Sequence, residues 1–299
     1  MAEWLLVDGS SLIFRAFYGV PSTIRSPDGR PVNGVRGFMD RIARLIEDLR
    51  PHRLAVASDE DWRPRWRVEL IPSYKAHRVA EPVPPELAPQ MPIIHDVLQA
   101  VGIDFVGVPD YEAEDVIASW VAQIADGVQV DIVSGDRDLF ALVRSPDVRV
   151  LYPEKKGLAA IDEAEVQRRY GIPGRAYADY AILRGDPSDG LPGLSGVGDR
   201  TAADLVRRHG SVSGLLASET PLREADRDYL AKAVRVVPPV ADIPVPLPPG
   251  RRDAYPADAE QVVELAARHG LDSAFERLLR ALRRLSSPQH GGQRLKGDR

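Results

Sequence analysis

Five short apolar runs constrain this chain more than any other feature: WLLVD (4–8), LAVAS (54–58), DFVGV (104–108), VQVDIVS (128–134) and VRVLY (148–152). Each is close to continuously apolar, the pattern of strands buried on both faces of a parallel sheet. Stretches with helical spacing lie between them, at 37–49, 92–101 and 112–125. Parallel neighbours need long crossovers, and helices supply them. The first half of the chain therefore reads as an α/β doubly wound core.

Beyond about residue 175 the pattern turns helical, with segments at 176–184, 201–209, 212–217 and 223–234. The run VPPVADIPVPLPPG (237–250) is proline-rich and extended, a strap or linker rather than an element. Two amphipathic helices follow, at 258–270 and 272–285, and the polar end, 286–299, is expected to be disordered. No internal repeat is evident. A length of 299 residues suffices for such a core and a second module. With no cysteine, disulfides and thiolate metal sites are excluded. The start has no basic n-region, and no apolar stretch approaches the ~20 residues that span a bilayer. A cytoplasmic protein is expected, with no membrane partner.

Acids recur at the ends of these elements. Asp8 closes the first apolar run, Asp59 follows the second, and Asp136 and Asp138 follow VQVDIVS. Glu112, Glu114 and Asp115 open a helix, with Glu112 and Asp115 on one face at i, i+3. Asp186 and Asp189 follow the 176–184 segment. In open α/β sheets, sites form at the carboxyl ends of strands. Any one of these acids has an ordinary reading as a helix cap or a turn residue, and EAED at a helix start suits the macrodipole without any metal. Five acidic clusters at element ends together favour a metal. Oxygen-only donors favour Mg²⁺ or Mn²⁺ over zinc.

The run GDPSDGLPGLSGVGDRTAADL (185–205) adds a second chemistry. Glycines Gly193, Gly196 and Gly198 precede a helix opening near Thr201, where main-chain N–H groups and a helix N-terminus can approach phosphate oxygens. Taken alone, a helix-to-helix turn without ligand explains it as well. A metal beside a phosphate backbone suggests phosphoryl transfer on nucleic acid. The net charge of −5 runs against a nucleic-acid binder. Setting aside the nine nominated acids, however, leaves 35 against 39 Lys and Arg.

In order, MAEWLLVDGSSLIFRAFYG, WRVELIPSYKAHR, DYEAEDVIA, VSGDRDLFALV and LRGDPSDGLPGLSGVGDRTA resemble bacterial 5′ nucleases of the flap endonuclease family, including the 5′-3′ exonuclease domain of DNA polymerase I. The resemblance spans about residues 3–285. No polymerase region follows, so a free-standing relative is expected. It implies a PIN-like (resolvase-like) parallel-sheet core over 1–174, with an arch or gateway at about 60–92. A helix-3-turn-helix (helix-hairpin-helix) module with the C-terminal helices would occupy 175–285. It implies two or more divalent metals on Asp8, Asp59, Glu112, Glu114, Asp115, Asp136, Asp138, Asp186 and Asp189. One extra residue before the Trp-Arg pair leaves Asp61 as a rival to Asp59. Glu114 stands where an Asp is common, Gly190 replaces a frequent Asn, and Arg200 replaces a frequent Lys.

The stretch 61–78 mixes Arg63, Arg65, Arg67, Lys75 and Arg78 with Trp62, Trp66 and Tyr74, a pairing that suits single strands. An amphipathic helix with a solvated basic face would look the same. The resemblance favours the arch, with Arg67 and Tyr74 on nucleic acid and Lys75 and Arg78 as catalytic cations. Arg15 would face the scissile region, Tyr18 would stack there or pack in the core, and Lys155 and Lys156 would form a solvated turn. Carbonyls near Leu194, Gly196 or Val197 would seat K⁺. The expected partners are DNA (5′ flaps, gapped or nicked duplex) and RNA-primed duplex, bound by a monomer in the nucleoid.

Three functions compete. A structure-specific 5′ nuclease would use two metals about 4 Å apart. A small-molecule phosphatase is suggested by GDPSD, but it wants an Asp two positions after Asp8, where Ser10 stands. A junction-binding module without cleavage would require lost carboxylates, and none is missing.

Overall fold

Six strands form one sheet in a computed structural model that describes residues 2–79 and 83–286. They are β1 (Trp4–Asp8), β2 (Arg53–Ala57), β3 (Asp104–Val106), β4 (Val130–Val133), β5 (Val148–Glu154) and β6 (Gly157–Ile161). The order across the sheet is β3-β2-β1-β4-β5-β6, with the first five parallel and β6 antiparallel on β5. Lys155 and Lys156 lie exposed at the turn between β5 and β6. The sequence offers little sign of β6, because Gly157, Leu158 and Ala160 are exposed and only Ile161 is buried.

The helices are α1 (Gly9–Gly19), α2 (Asn33–Leu49), α3 (Arg65–Leu70), α4 (Gln90–Val101), α5 (Ala113–Gln123), α6 (Glu163–Tyr170), α7 (Tyr177–Arg184), α8 (Asp199–His209), α9 (Val212–Ala217), α10 (Glu224–Val236), α11 (Ala259–His269) and α12 (Asp272–Ser286). They cover both faces of the sheet. Along β1, Trp4 and Leu6 enter one apolar core with α5, whereas Leu5 and Val7 enter a second with α2. Ala55 and Leu54 divide in the same way on β2. This two-sided burial is why the strands read as continuous apolar runs.

The first core continues without a break into the helical module, through Tyr177, Leu183, Val206, Leu215 and Leu230. The proline-rich segment 237–250 is a strap. It crosses α5, with Val240 N–H on Asp115 at 2.8 Å, Trp120 Nε1 on the Pro246 carbonyl at 3.1 Å and Gln123 Nε2 on the Val245 carbonyl at 2.8 Å. It ends beside β2, where Leu54 N–H donates to the Gly250 carbonyl at 2.7 Å. Helices α11 and α12, expected beside the hairpin module, pack instead on α4 and α2. Arg277 of α12 pairs with Asp40 of α2 at 2.7 Å. An amphipathic stripe demands a partner without specifying which one. The expected tail, 286–299, lies outside the described residues apart from Ser286, and part of the arch, 80–82, does too. Among the described residues, no helix is long and apolar enough to cross a membrane.

Candidate active site

Strand β1 lies between β2 and β4, so chain direction across the sheet reverses there, and the carboxyl ends of β1 and β4 border a crevice. Asp8 ends β1 and caps α1, accepting from Ser11 N–H at 2.9 Å. Ser134, at the end of β4, donates its hydroxyl to Asp8 and accepts from Asp136 N–H at 2.8 Å. One buried hydroxyl thus sets two carboxylates relative to each other. Asp59 is held by its N–H on Ser10 Oγ at 3.0 Å and by accepting from Ala113 N–H at 2.7 Å. Asp61 instead accepts from Arg63 N–H at 2.9 Å in a local turn, so Asp59 is the acid that faces the crevice. Carboxylate oxygens of Glu114, Asp136 and Asp138 all lie within 4.8 Å of one another. Asp189 lies close enough to Asp138 for their like charges to oppose each other.

Three of the nine nominated acids carry several protein partners, although Glu112 also lines the cleft. Asp115 is wholly buried, and its oxygens accept from Arg67 at 2.7 Å, Val240 N–H at 2.8 Å and Glu112 N–H at 3.1 Å. Glu112 accepts from Arg67, from Tyr74 OH at 2.7 Å and from Lys75 Nζ. Asp186 caps the turn of Pro187–Asp189 through Ser188 N–H at 2.9 Å, and pairs with Arg137 at 2.8 Å and Arg184 at 3.5 Å. The remaining six, Asp8, Asp59, Glu114, Asp136, Asp138 and Asp189, gather around the cleft; Asp8, Asp59, Glu114 and Asp136 line it, and Glu114 also lies 3.5 Å from Arg67.

The arch residues divide likewise. Arg67 and Tyr74, expected on nucleic acid, are buried to 0% and 2% exposure and cannot meet a ligand in this arrangement. Arg67 stacks between Trp66 and Tyr74 and donates to the Val236 carbonyl at 3.1 Å, tying α3 to the end of α10. Their aromatic and basic character served an internal ion-pair hub rather than a strand of bases. Lys75 reaches the cluster, 3.8 Å from Asp189, from a left-handed backbone (φ +46°). Arg78 stands 3.7 Å from the same carboxylate and is part exposed. Arg15 is exposed and lies over Gly135, where a Cβ would meet its guanidinium at 2.8 Å. Phe14, Arg15, Tyr18, Trp62, Lys75 and Arg78 line the same cleft as the acids, a cavity of about 940 Å³. Tyr18 is 73% exposed, which settles it on the surface rather than in the core.

In the hairpin, Gly193 (φ +67°) is structural: a Cβ would lie 2.5 Å from the Arg184 carbonyl, and its N–H points to Tyr229 OH at 3.3 Å. Gly196, Gly198 and Thr201 are exposed, and Gly198 caps α8 with no side-chain cap. Gly190 (φ +69°) brings the turn against the arch base, since a Cβ there would sit 1.9 Å from the Ser73 carbonyl. Lys75 N–H donates across this contact to the Asp189 carbonyl at 2.9 Å.

Burial and like charge set the electrostatics. Asp8 is pushed up to about 7 by burial and then by Asp59. Burial and Asp136 push Glu114 well up, and burial with Asp136 and Asp189 does the same to Asp138. Glu112 goes the other way: burial opposes its charge, but Lys75 and Arg67 outweigh that and hold it below the usual carboxylate value. Six acids converge here, and the nearby cations Lys75, Arg78 and Arg67 do not balance them. Hard divalent cations fit this donor set. Ser134, Arg137 and Arg184 were not singled out from the sequence. The signal available was a hydroxyl two residues before Asp136 and an arginine between Asp136 and Asp138.

Residues 3–171 match the 5′-3′ exonuclease N-terminal resolvase-like domain, and residues 172–237 match the 5′-3′ exonuclease C-terminal SAM fold. The chain belongs to the 5′-3′ exonuclease family. Its sheet and helices are those of the PIN-type resolvase-like fold. A 5′-3′ exonuclease of Streptomyces coelicolor is 50% identical, over 93% of this chain and 99% of that protein. One from Mycobacterium tuberculosis is 48% identical, over 93% and 97%. The flap endonuclease of bacteriophage T5, solved with DNA and metal ions, shares the fold at a TM-score of 0.65 and 16% identity, covering 95% of this chain and 99% of its own.

Proposed function

We propose that this chain is a structure-specific 5′ nuclease, a 5′ flap endonuclease and 5′-3′ exonuclease that hydrolyses phosphodiester bonds near single-strand/duplex junctions. Primer removal during DNA replication and flap removal in repair would use this activity. The observation that carries the reading is the convergence of Asp8, Asp59, Glu114 and Asp136 on one cleft, with Asp138 grouped with Glu114 and Asp136 and Asp189 beside Asp138. Mg²⁺ or Mn²⁺ held there would activate water and stabilise the leaving oxygen.

The chain's own groups do the rest. Lys75 and Arg78, on the Asp189 side, would place positive charge where negative charge develops in the transition state. Arg15, with Phe14 and Tyr18, lines the same cleft and would orient the terminal nucleotide. The N–H groups of the hairpin and of the first turn of α8 would hold duplex phosphates without reading sequence. K⁺ at the hairpin belongs to the same reading, with carbonyls near Leu194, Gly196 or Val197 as donors.

The test is Mg²⁺-dependent cleavage of a labelled 5′-flap duplex. The wild type should cut at the junction, whereas Asp8→Asn and Asp138→Asn should bind but not cut. If the wild type binds the flap and leaves it intact in both Mg²⁺ and Mn²⁺, the chain is a junction binder.

A further inference from the structure

Between the acid cluster and the gripping helix lies a run of side chains that the proposed chemistry does not use. Arg184 is the last residue of α7, and its guanidinium folds back over the Tyr180 ring, 5.5 Å from the centroid. One nitrogen is 3.4 Å from Asp199, the first residue of α8, and another is 3.5 Å from Asp186. Asp199 also accepts from Tyr180 OH at 2.7 Å. Asp186 is bonded to Arg137 at 2.8 Å, and Arg137 sits between Asp136 and Asp138 of the cluster. Asp186 also caps the turn that ends in Asp189. The hairpin backbone is pinned to the same place: Leu194 N–H donates to the Leu183 carbonyl at 2.9 Å, and Gly193 lies against the Arg184 carbonyl.

We propose that Arg184 is a positioning residue that couples duplex seating on α8 to the placement of the Asp186–Asp189 turn, and so to the affinity of the acid cluster for divalent cation. The physical argument is one of connectivity and rigidity. Arg184 carries two carboxylates from different elements on one planar fork, which a lysine cannot do. Coupling between sites is carried by such contiguous ion-pair and hydrogen-bond chains. Arg184 is only one-fifth exposed and Asp186 is buried, so that pair is less screened by solvent than a surface pair. The Arg184–Asp199 pair is weaker by itself, because Asp199 is exposed, but Tyr180 holds Asp199 from the other side.

The inference rests on the nuclease reading for its substrate, and the test separates the two. Mn²⁺ affinity of the full chain is measured by calorimetry with and without a nicked duplex whose junction linkages resist hydrolysis, with Mn²⁺ binding by the duplex alone subtracted. Coupling of two sites is reciprocal, and a change of about fivefold or more is expected for the wild type. In Arg184→Gln the duplex should no longer change Mn²⁺ affinity, while duplex affinity without metal stays within about twofold of wild type, since coupling can be lost without loss of binding. Arg184→Lys should recover charge but not coupling, because an ammonium lacks the fork. Asp199→Asn combined with Arg184→Gln should be no worse than Arg184→Gln alone.

The proposal is overturned if Arg184→Gln keeps the duplex-dependent change in Mn²⁺ affinity. It is also overturned if Arg184→Gln loses duplex affinity outright, which would make Arg184 a phosphate contact, or if Arg184→Lys restores the coupling in full. Failure of the wild type to cut a flap would remove the nuclease reading while leaving this binding measurement intact.

Discussion

At the residue scale, the acid cluster is a place where function opposes stability. Asp138 is buried beside Asp136 and Asp189, and all three repel one another when charged. Asp138→Asn should therefore raise the melting temperature of the metal-free protein while reducing flap cleavage by at least ~100-fold, as expected when charge stabilisation of the transition state is lost. Differential scanning calorimetry and a single-turnover assay check the two halves. A pH dependence follows from Asp8, whose folded value of about 7 lies above its unfolded 3.8. The folded state holds that proton more tightly, so the stability it contributes is full below the unfolded value and lost as pH rises through about 7. Asp59, Glu114 and Asp189 shift in the same direction, whereas Glu112 opposes them. The melting temperature in EDTA should fall between pH 5 and 8, and saturating Mg²⁺ should recover more of it at pH 8 than at pH 6. An equal Mg²⁺ effect at both values would contradict this.

At the element scale, the turn of Pro187–Asp189 joins the arch base to the gripping helix. Gly190 allows Ser73 and Lys75 to lie against it, and Gly193 allows the hairpin to lie against α7. In the proposed reading, gripping and cutting would fall to separate faces of one junction. Gly198→Pro removes an exposed N–H at the cap of α8, whereas Arg78→Ala removes a cation 3.7 Å from Asp189. The first should weaken duplex binding by about tenfold, the size of one lost charge-assisted hydrogen bond, with little change in the saturated cleavage rate. The second should slow saturated cleavage with little change in duplex affinity. Anisotropy titration and single-turnover kinetics distinguish them, and exchanged outcomes would refute the division of labour.

At the scale of the whole molecule, α12 closes the fold at a distance from the crevice. Leu278, Ala281, Leu282 and Leu285 are buried in the core shared with α2, which contributes Ile42 and Ile46. Arg277 pairs with Asp40 across the same contact. Truncation after Gly270 should therefore remove cooperative unfolding, followed by far-ultraviolet circular dichroism in urea, and not simply reduce DNA affinity. A truncated chain that unfolds cooperatively with an unchanged midpoint would show that α12 is dispensable.

What the amino-acid order determined was local and periodic. Continuous apolar runs and the helical spacing between them specified a two-sided parallel sheet, because strands buried on both faces can have no polar alternation. Acids at the ends of those runs were legible as a cluster for the same reason, since strand ends in such sheets converge at the crossover point. Tertiary structure alone decided which acids carry several protein partners. Asp115, Glu112 and Asp186 are as acidic in sequence as Asp136 and Asp138, yet long-range partners engage them: Arg67, Lys75, Val240 and Arg137. It also decided that Arg67 and Tyr74 face inward, that α11 and α12 return to the sheet, and that β6 adds an edge. Apart from the local β5–β6 hairpin, each of these depends on contacts between residues far apart in the chain. No local period encodes such contacts, and burial can reverse the role that a charged or aromatic residue suggests.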